Sequence, residues 1–334
     1  MEYRRLGRTG LKVSELSLGC MTFGRETDEG TASQILDKYI ATGGNFLDTA
    51  NVYAAGASEE ILGHIVGKRR HDLVLATKVR FNANLFTGKP VGPNEWGLSR
   101  GHIMSEVEAS LKRLNTDYID LYQVHSWDFE TPIEETMRAL DDLVRHGKVR
   151  YLGASNFTGW QLMKSLWESD KHGYSRFDSL QPQFSLISRE IEREILPLCR
   201  NEGVGVIPWS PLGGGFLTGK YRSGEKPPED SRLAKMDLWN RLANERNYRT
   251  LEAVEQIAKE RGRKISQIAL AWVNQQPGVS SVIYGARTVE QNDENLGSLG
   301  LKLEAAELAA LDKASALPPE YPGAMQARLP GPRP

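Results

Sequence analysis

Residues 119–155, IDLYQVHSWDFETPIEETMRALDDLVRHGKVRYLGAS, read as a strand, a helix and a second strand. Ile119–His125 is a short apolar run ending in a polar residue, and Arg150–Ser155 is another. Between them, Thr131-Pro132-Ile133-Glu134 reads as a capping box with proline at the first helical position. Ile133, Met137, Leu140 and Val144 then fall on one helical face, and Gly147 marks the stop.

The same unit recurs on both sides of this stretch. Leu16–Gly19, Asn45–Asp48, Leu73–Thr77, Ser179–Gln181, Val204–Trp209 and Ser281–Gly285 bring the apolar runs to eight, most of them ending about 28 residues apart. Two gaps are longer, with the extra residues in 79–100 and 211–247. Helical periodicity fills other intervals. Ile103, Val107, Leu111 and Leu114 share a face, Ile257, Ile265, Ile268 and Trp272 suggest two helices around Gly262, and Thr288-Val289-Glu290-Gln291 is a second capping box. Runs without polar alternation are what strands buried on both faces require. Eight such units predict an α/β fold, a closed (β/α)8 TIM barrel rather than an open doubly wound sheet. Tyr3–Leu6 and Leu11–Val13, around Arg8-Thr9-Gly10, predict a short N-terminal hairpin. Leu317–Pro334 contains six prolines and is expected to be an irregular tail on a single barrel domain spanning 1–334.

Composition narrows the function. The chain has 42 Lys+Arg against 43 Asp+Glu, a net charge of −1, which removes the general electrostatic case for nucleic acid or an anionic membrane surface. No apolar run approaches the ~20 residues of a transmembrane helix, and MEYRRLGRTG lacks the apolar core of a signal peptide. Cys20 and Cys199 lie far apart, with no metal-ligand spacing, so neither a disulfide scaffold nor a metal site is expected. A cytoplasmic enzyme is the expectation.

In such a barrel the active site lies at the C-terminal ends of the strands. Those positions carry Asp48, Lys78, His125, Ser155-Asn156, Gln181, Trp209-Ser210 and Gly285. Singly, each has an ordinary explanation: a helix-capping aspartate, a solvated lysine, a buried histidine. Tyr53, five residues after Asp48, would by itself be a packed aromatic. Together they form a proton-donating set. A free tyrosine has a pKa of about 10 and is a sluggish acid at neutral pH. An adjacent ammonium stabilises the phenolate, a carboxylate holds that ammonium in place, and a histidine can orient a carbonyl oxygen. Such a site protonates an oxygen that gains negative charge as hydride reaches the carbonyl carbon.

The segments GGNFLDTANVY (43–53), LVLATK (73–78), LKRLNTDYIDLYQVH (111–125), GKVRYLGASNF (147–157), VIPWSPLGGGFLTGKY (206–221) and YGARTVEQNDEN (284–295) resemble the aldo-keto reductase family. The resemblance implies a (β/α)8 barrel and metal-free hydride transfer from NADP(H) to an aldehyde or ketone. It makes Tyr53 the general acid, Lys78 and Asp48 the pair that tunes it, and His125 the residue that orients the carbonyl. Ser155, Asn156 and Gln181 match positions that bond the nicotinamide carboxamide, and Trp209 matches a ring that packs on the nicotinamide. Ser210, Pro211, Leu212, Gly214 and Lys220 resemble the segment over the pyrophosphate. Gly285 and Arg287 lead into the helix capped at Thr288, a ready anion site for the adenosine 2′-phosphate. Gln291, Glu294 and Asn295 match contacts to the adenine end, and Arg232 is a further candidate there. Family members often carry Ser or Lys where Arg287 stands, which leaves the choice of NADP over NAD open at this point.

Phe23, Phe81, Trp127 and Phe129, with Tyr53, are the candidate substrate walls. The expected partner is a small carbonyl compound, with no nucleic acid and no membrane insertion, and a homo-oligomer is left open. Two other classes compete. Some relatives resemble cofactor-binding β subunits of potassium channels, which gives a regulatory reading. Gly214–Lys220, GGFLTGK, satisfies GxxxxGK, most of a nucleotide-triphosphate loop. However, Tyr221 stands where Ser or Thr would be needed for Mg²⁺, and breaker residues follow.

Overall fold

The computed structural model describes residues 1–334 except 229–230, 232–233, 235–238, 327 and 329–334. An antiparallel hairpin, β1 (Tyr3–Arg5) and β2 (Lys12–Ser14), comes first. Eight parallel strands follow: β3 (Leu16–Gly19), β4 (Phe46–Asp48), β5 (Val74–Val79), β6 (Ile119–Val124), β7 (Val149–Ser155), β8 (Phe177–Gln181), β9 (Gly205–Val206) and β10 (Val282–Gly285). Their order is β10-β3-β4-β5-β6-β7-β8-β9. The two ends of this row also meet. Val206 N–H donates to Gly278 O at 3.2 Å, Ser280 N–H to Val206 O at 2.8 Å, and Ile283 N–H to Pro208 O at 2.9 Å. The sheet therefore curls into the predicted barrel, with helices alternating between strands.

Three local expectations need correction. The run 204–209 is regular only over Gly205–Val206, because Pro208 has no N–H for a ladder; Trp209 then pairs with Gln183 as an isolated bridge. Thr131 does not cap the helix Ile133–Arg145. Pro132 occupies the N-cap, and the Thr131 hydroxyl instead donates to Asp128 Oδ2 at 2.7 Å, a charged acceptor three residues back. The tail forms a helical turn at Gly323–Gln326, and Arg193 ties it down by pairing with Glu320 at 2.6 Å. Thr288 does cap its helix, Val289–Leu296, accepting from Gln291 N at 3.3 Å.

Side-chain parity along the strands positions the site. Leu47, Leu75, Tyr122, Val124 and Leu180 belong to the large core between sheet and helices. Their neighbours Phe46, Val74, Ala76, Leu121, Ile207 and Ile283 form a separate interior cluster, completed by Leu6 and Val13 of the hairpin. The hairpin thus contributes to the apolar plug at the N-terminal end of the barrel. Continuing in steps of two, the inward positions become polar: Asp48 after Phe46, Lys78 after Ala76, Gln123 and His125 after Leu121.

Tyr39, on the helix Glu29–Ala41, joins this helix to the sheet. Its buried hydroxyl lies 2.8 Å from Ser14 Oγ, 2.9 Å from Leu16 O, and 3.0 Å from both the carbonyl and the N–H of Phe46. Tyr39→Phe leaves buried polar groups short of a partner, so unfolding free energy should fall by about 1–3 kcal/mol in urea titration. An unchanged midpoint would show that these groups pair elsewhere.

Candidate active site

Lys78 is wholly buried among polar atoms, and its ammonium places three donors on three acceptors. These are Asp48 Oδ1 at 2.6 Å, Thr49 O at 2.7 Å and the Tyr53 hydroxyl oxygen at 3.4 Å. Burial alone would push its pKa down; the charges of Asp48 and Tyr53 outweigh that and hold it above the ordinary lysine value. The other Asp48 oxygen accepts from Gln123 Nε2 at 2.9 Å and Gln181 Nε2 at 2.7 Å. Gln181 also donates to Gln123 Oε1 at 3.0 Å. The buried ion pair therefore has the additional hydrogen bonds that such pairs need.

Tyr53 is carried on an unusual loop. Ala54, Ala55 and Gly56 follow it with φ of 49°, 56° and 97°. Left-handed backbone costs a non-glycine residue about 1–2 kcal/mol. A strained turn persists where its surroundings fix it, and such turns collect at functional sites. At Gly56 a Cβ would also come within 2.9 Å of Arg113 Cδ, so the turn excludes side chains there.

The His125 ring meets the Tyr53 ring edge-on, with centroids 5.8 Å apart. Burial, then the cations of Lys78 and Arg80, push the imidazole pKa well below its ordinary value, so it is neutral at pH 7. Its Nδ1 is buried without a hydrogen bond. Phe81 also packs on His125 at 5.0 Å, and Trp96 packs on Phe81 at 5.2 Å. Tyr53, Lys78, Asp48 and His125 are thus gathered at the C-terminal end of the barrel, around one acidic proton and one neutral imidazole.

The candidate cofactor residues line the same face. Asn156, at φ 56°, donates to His125 O at 3.0 Å and accepts from Trp209 Nε1 at 3.0 Å, which ties the half-buried indole to the end of the strand that carries His125. Ser155 Oγ is committed to Gln181 O at 2.9 Å. Pro211 and Leu212 follow Trp209-Ser210 into a glycine loop, where Ser210, Gly213, Gly214 and Gly215 all have positive φ and Ser210 Oγ accepts from Gly214 N at 3.1 Å. Lys220 is exposed beside this loop. No helix begins after Lys220 through residue 228, so the triphosphate-loop match lacks its structural context. Gly285 and Arg287 are exposed at the start of the helix Val289–Leu296.

Several expected contacts are already engaged. Gln181 Nε2 is used on Asp48 and Gln123. Gln291 Oε1 accepts from Arg287 N, and Asn295, buried, donates to Gly285 O. Glu294 accepts from Ser266 Oγ. Phe23 is a correction: it is fully buried in the core between sheet and helices and offers no pocket wall. Phe129 is 82% exposed and its ring meets no other ring among the described residues. Trp127 packs edge-on against Phe157 and Trp160, both at 5.3 Å. Arg232 lies outside the described residues. Gln123 and Arg80 were missed, although both stand at inward parity, two residues from His125 and Lys78.

A buried Lys–Asp pair lies under a tyrosine and a neutral histidine at the strand ends of an eight-stranded barrel, an arrangement able to give up a proton from the tyrosine. Residues 15–316 match the aldo/keto reductase family. An uncharacterized oxidoreductase of Bacillus subtilis, YrpG, is 41% identical over 320 residues, covering 93% of this chain and 95% of the relative. A protein of Arabidopsis thaliana named "Probable voltage-gated potassium channel subunit beta" is 41% identical over 305 residues, covering 89% and 90%. A norsolorinic acid reductase of Aspergillus flavus is 36% identical over 322 residues, covering 94% and 80%. The chain belongs to the aldo/keto reductase family and is an oxidoreductase of that family.

Proposed function

We propose that the protein reduces an aldehyde or ketone to an alcohol with NADPH, with Tyr53 as the proton donor. The observation that carries this reading is the Lys78 ammonium, held by Asp48 and Thr49 and within hydrogen-bond reach of the Tyr53 oxygen. When bound, the nicotinamide supplies hydride to the carbonyl carbon. The chain's own residues do the rest. Neutral His125 donates an N–H to the carbonyl oxygen and orients it. Tyr53 gives its proton to that oxygen as negative charge builds there, and Lys78 compensates the phenolate left behind. Asp48, Gln123 and Gln181 keep Lys78 from drifting.

The residues present fit a dinucleotide. Trp209 presents a half-buried ring pinned by Asn156, the loop 210–215 turns on left-handed Ser210, Gly213, Gly214 and Gly215, and a capped helix N-terminus follows Arg287. Arg287 is the 2′-phosphate ligand in this reading. Arg287→Ala should raise Kd for NADPH about tenfold or more, the loss of one charge-assisted contact, and leave NADH nearly unchanged. Equal weakening of both, measured by nucleotide fluorescence titration, removes the assignment.

The channel-subunit relatives support a second reading, a cofactor-binding regulatory subunit. The two readings separate on turnover. The reductase predicts carbonyl-dependent NADPH oxidation by the purified chain. Tight NADPH binding without oxidation against any aldehyde or ketone would favour the regulatory reading.

A further inference from the structure

Arg80 helps keep His125 neutral, but the mechanism gives its own side-chain donors no task. It follows Lys78 by two positions and leaves β5 with φ 136°, a backbone region that side-chain-bearing residues rarely adopt. Two bonds hold it there: its carbonyl accepts from Gly97 N at 2.9 Å, and its Nε donates to Trp127 O at 3.1 Å. Its guanidinium lies 4.9 Å from the ring centres of both Phe81 and Trp96. Phe81 is the ring that packs on His125.

The guanidinium is half-buried, yet among the described residues its Nη1 and Nη2 have neither a hydrogen bond nor an ion pair. The carboxylates that act on it, Asp128 and Glu130, do not neutralise it by contact. Asp128 is turned to other donors, accepting from Leu98 N at 2.7 Å, Glu130 N at 3.0 Å and Thr131 Oγ1 at 2.7 Å. A strained, partly desolvated cation with two idle donor groups, beside aromatic rings that reach the catalytic histidine, is an arrangement suited to a planar anion.

We propose that Arg80 is an anion subsite of the substrate pocket, and that the preferred substrates are aromatic carbonyl compounds bearing a carboxylate or similar acidic group. The rings of Phe81 and Trp96 would take the aromatic body, and the two idle guanidinium nitrogens the acid. This inference rests on the reductase reading, and its test separates the two.

The probes are 2-, 3- and 4-carboxybenzaldehyde, their methyl esters, and benzaldehyde, each assayed by NADPH oxidation. In the wild type at least one carboxybenzaldehyde should show a KM about ten- to hundredfold below that of its ester, the range for a charge-assisted contact. Arg80→Met should erase that gap, raising KM for the carboxybenzaldehyde about ten- to hundredfold and changing KM for its ester and for benzaldehyde far less. Arg80→Lys, which keeps the charge and loses the fork, should recover part of it. Benzaldehyde turnover without any carboxylate preference in the wild type overturns the Arg80 proposal and leaves the reductase standing. A parallel loss for acid and ester in Arg80→Met also overturns it, because that is the mark of a purely structural residue. If Arg80→Met does not fold, the wild-type preference and Arg80→Lys decide. If no aldehyde is reduced, the reductase reading fails, and calorimetry with the three (hydroxymethyl)benzoates still reads the subsite. Binding to the wild type that is lost in Arg80→Met supports it, and no binding overturns it.

Discussion

Tyr53→Phe is expected to lower kcat for carbonyl reduction by about 10²–10⁴, the usual contribution of a positioned general acid, while NADPH affinity changes less than about twofold. The ring keeps its edge-on packing against His125 and loses only the hydroxyl. What disappears is the proton donor, and with it the oxygen that accepts from Lys78. The strained turn at Ala54-Ala55-Gly56 holds that hydroxyl in place, and its cost is met by folding whether or not substrate is bound. Steady-state kinetics beside nucleotide titration decides the matter. Retained turnover with weakened NADPH binding would remove Tyr53 from the chemistry.

Lys78→Met should be the more damaging change, because it strikes stability and catalysis together. Asp48 would stay buried with two amide donors and no cation. Removing one partner of a buried ion pair typically costs about 3–5 kcal/mol, which chemical denaturation would report. Activity should fall by about 10² or more, since nothing then compensates the phenolate. The double variant Asp48→Asn/Lys78→Met separates the two losses. Neutralising both partners should recover much of the stability and none of the activity. Recovery of turnover in the double variant would mean that the ammonium is dispensable for proton transfer.

Much of this was legible in the sequence, for a physical reason. Strands buried on both faces read as apolar runs, and a polar residue ending such a run stands out. Asp48, Lys78 and His125 were visible in that way, and the recurrence of the runs gave the barrel. The break at Pro208 was foreseeable from its missing N–H, but the run 204–209 concealed it by being uniformly apolar. Gln123 lay inside an apolar run and needed the inward parity of Leu121 and His125 to be noticed. Phe23 misled because aromaticity near a strand end does not say which way a ring turns; it turned into the core. Thr131 misled because a local pattern, S/T-x-x-E, cannot show that Asp128 stands closer at hand. Ala54, Ala55 and Arg80 were invisible, since no sequence rule assigns positive φ to alanine or arginine. The engagements of Gln181, Gln291 and Asn295 are long-range or turn-dependent bonds that only the folded chain defines.

The central claim is that hydride and proton reach a carbonyl at this site, the proton from Tyr53. The most direct measurement is reduction of benzaldehyde by the wild type and Tyr53→Phe with NADPH deuterated at the nicotinamide C4, in each of its two stereochemical forms, followed by mass analysis of the alcohol. The account predicts that deuterium from one of the two forms appears on the benzylic carbon with the wild type, and that product formation falls at least about a hundredfold with Tyr53→Phe. Benzyl alcohol without the label from either form, or formed equally fast by both proteins, would contradict it.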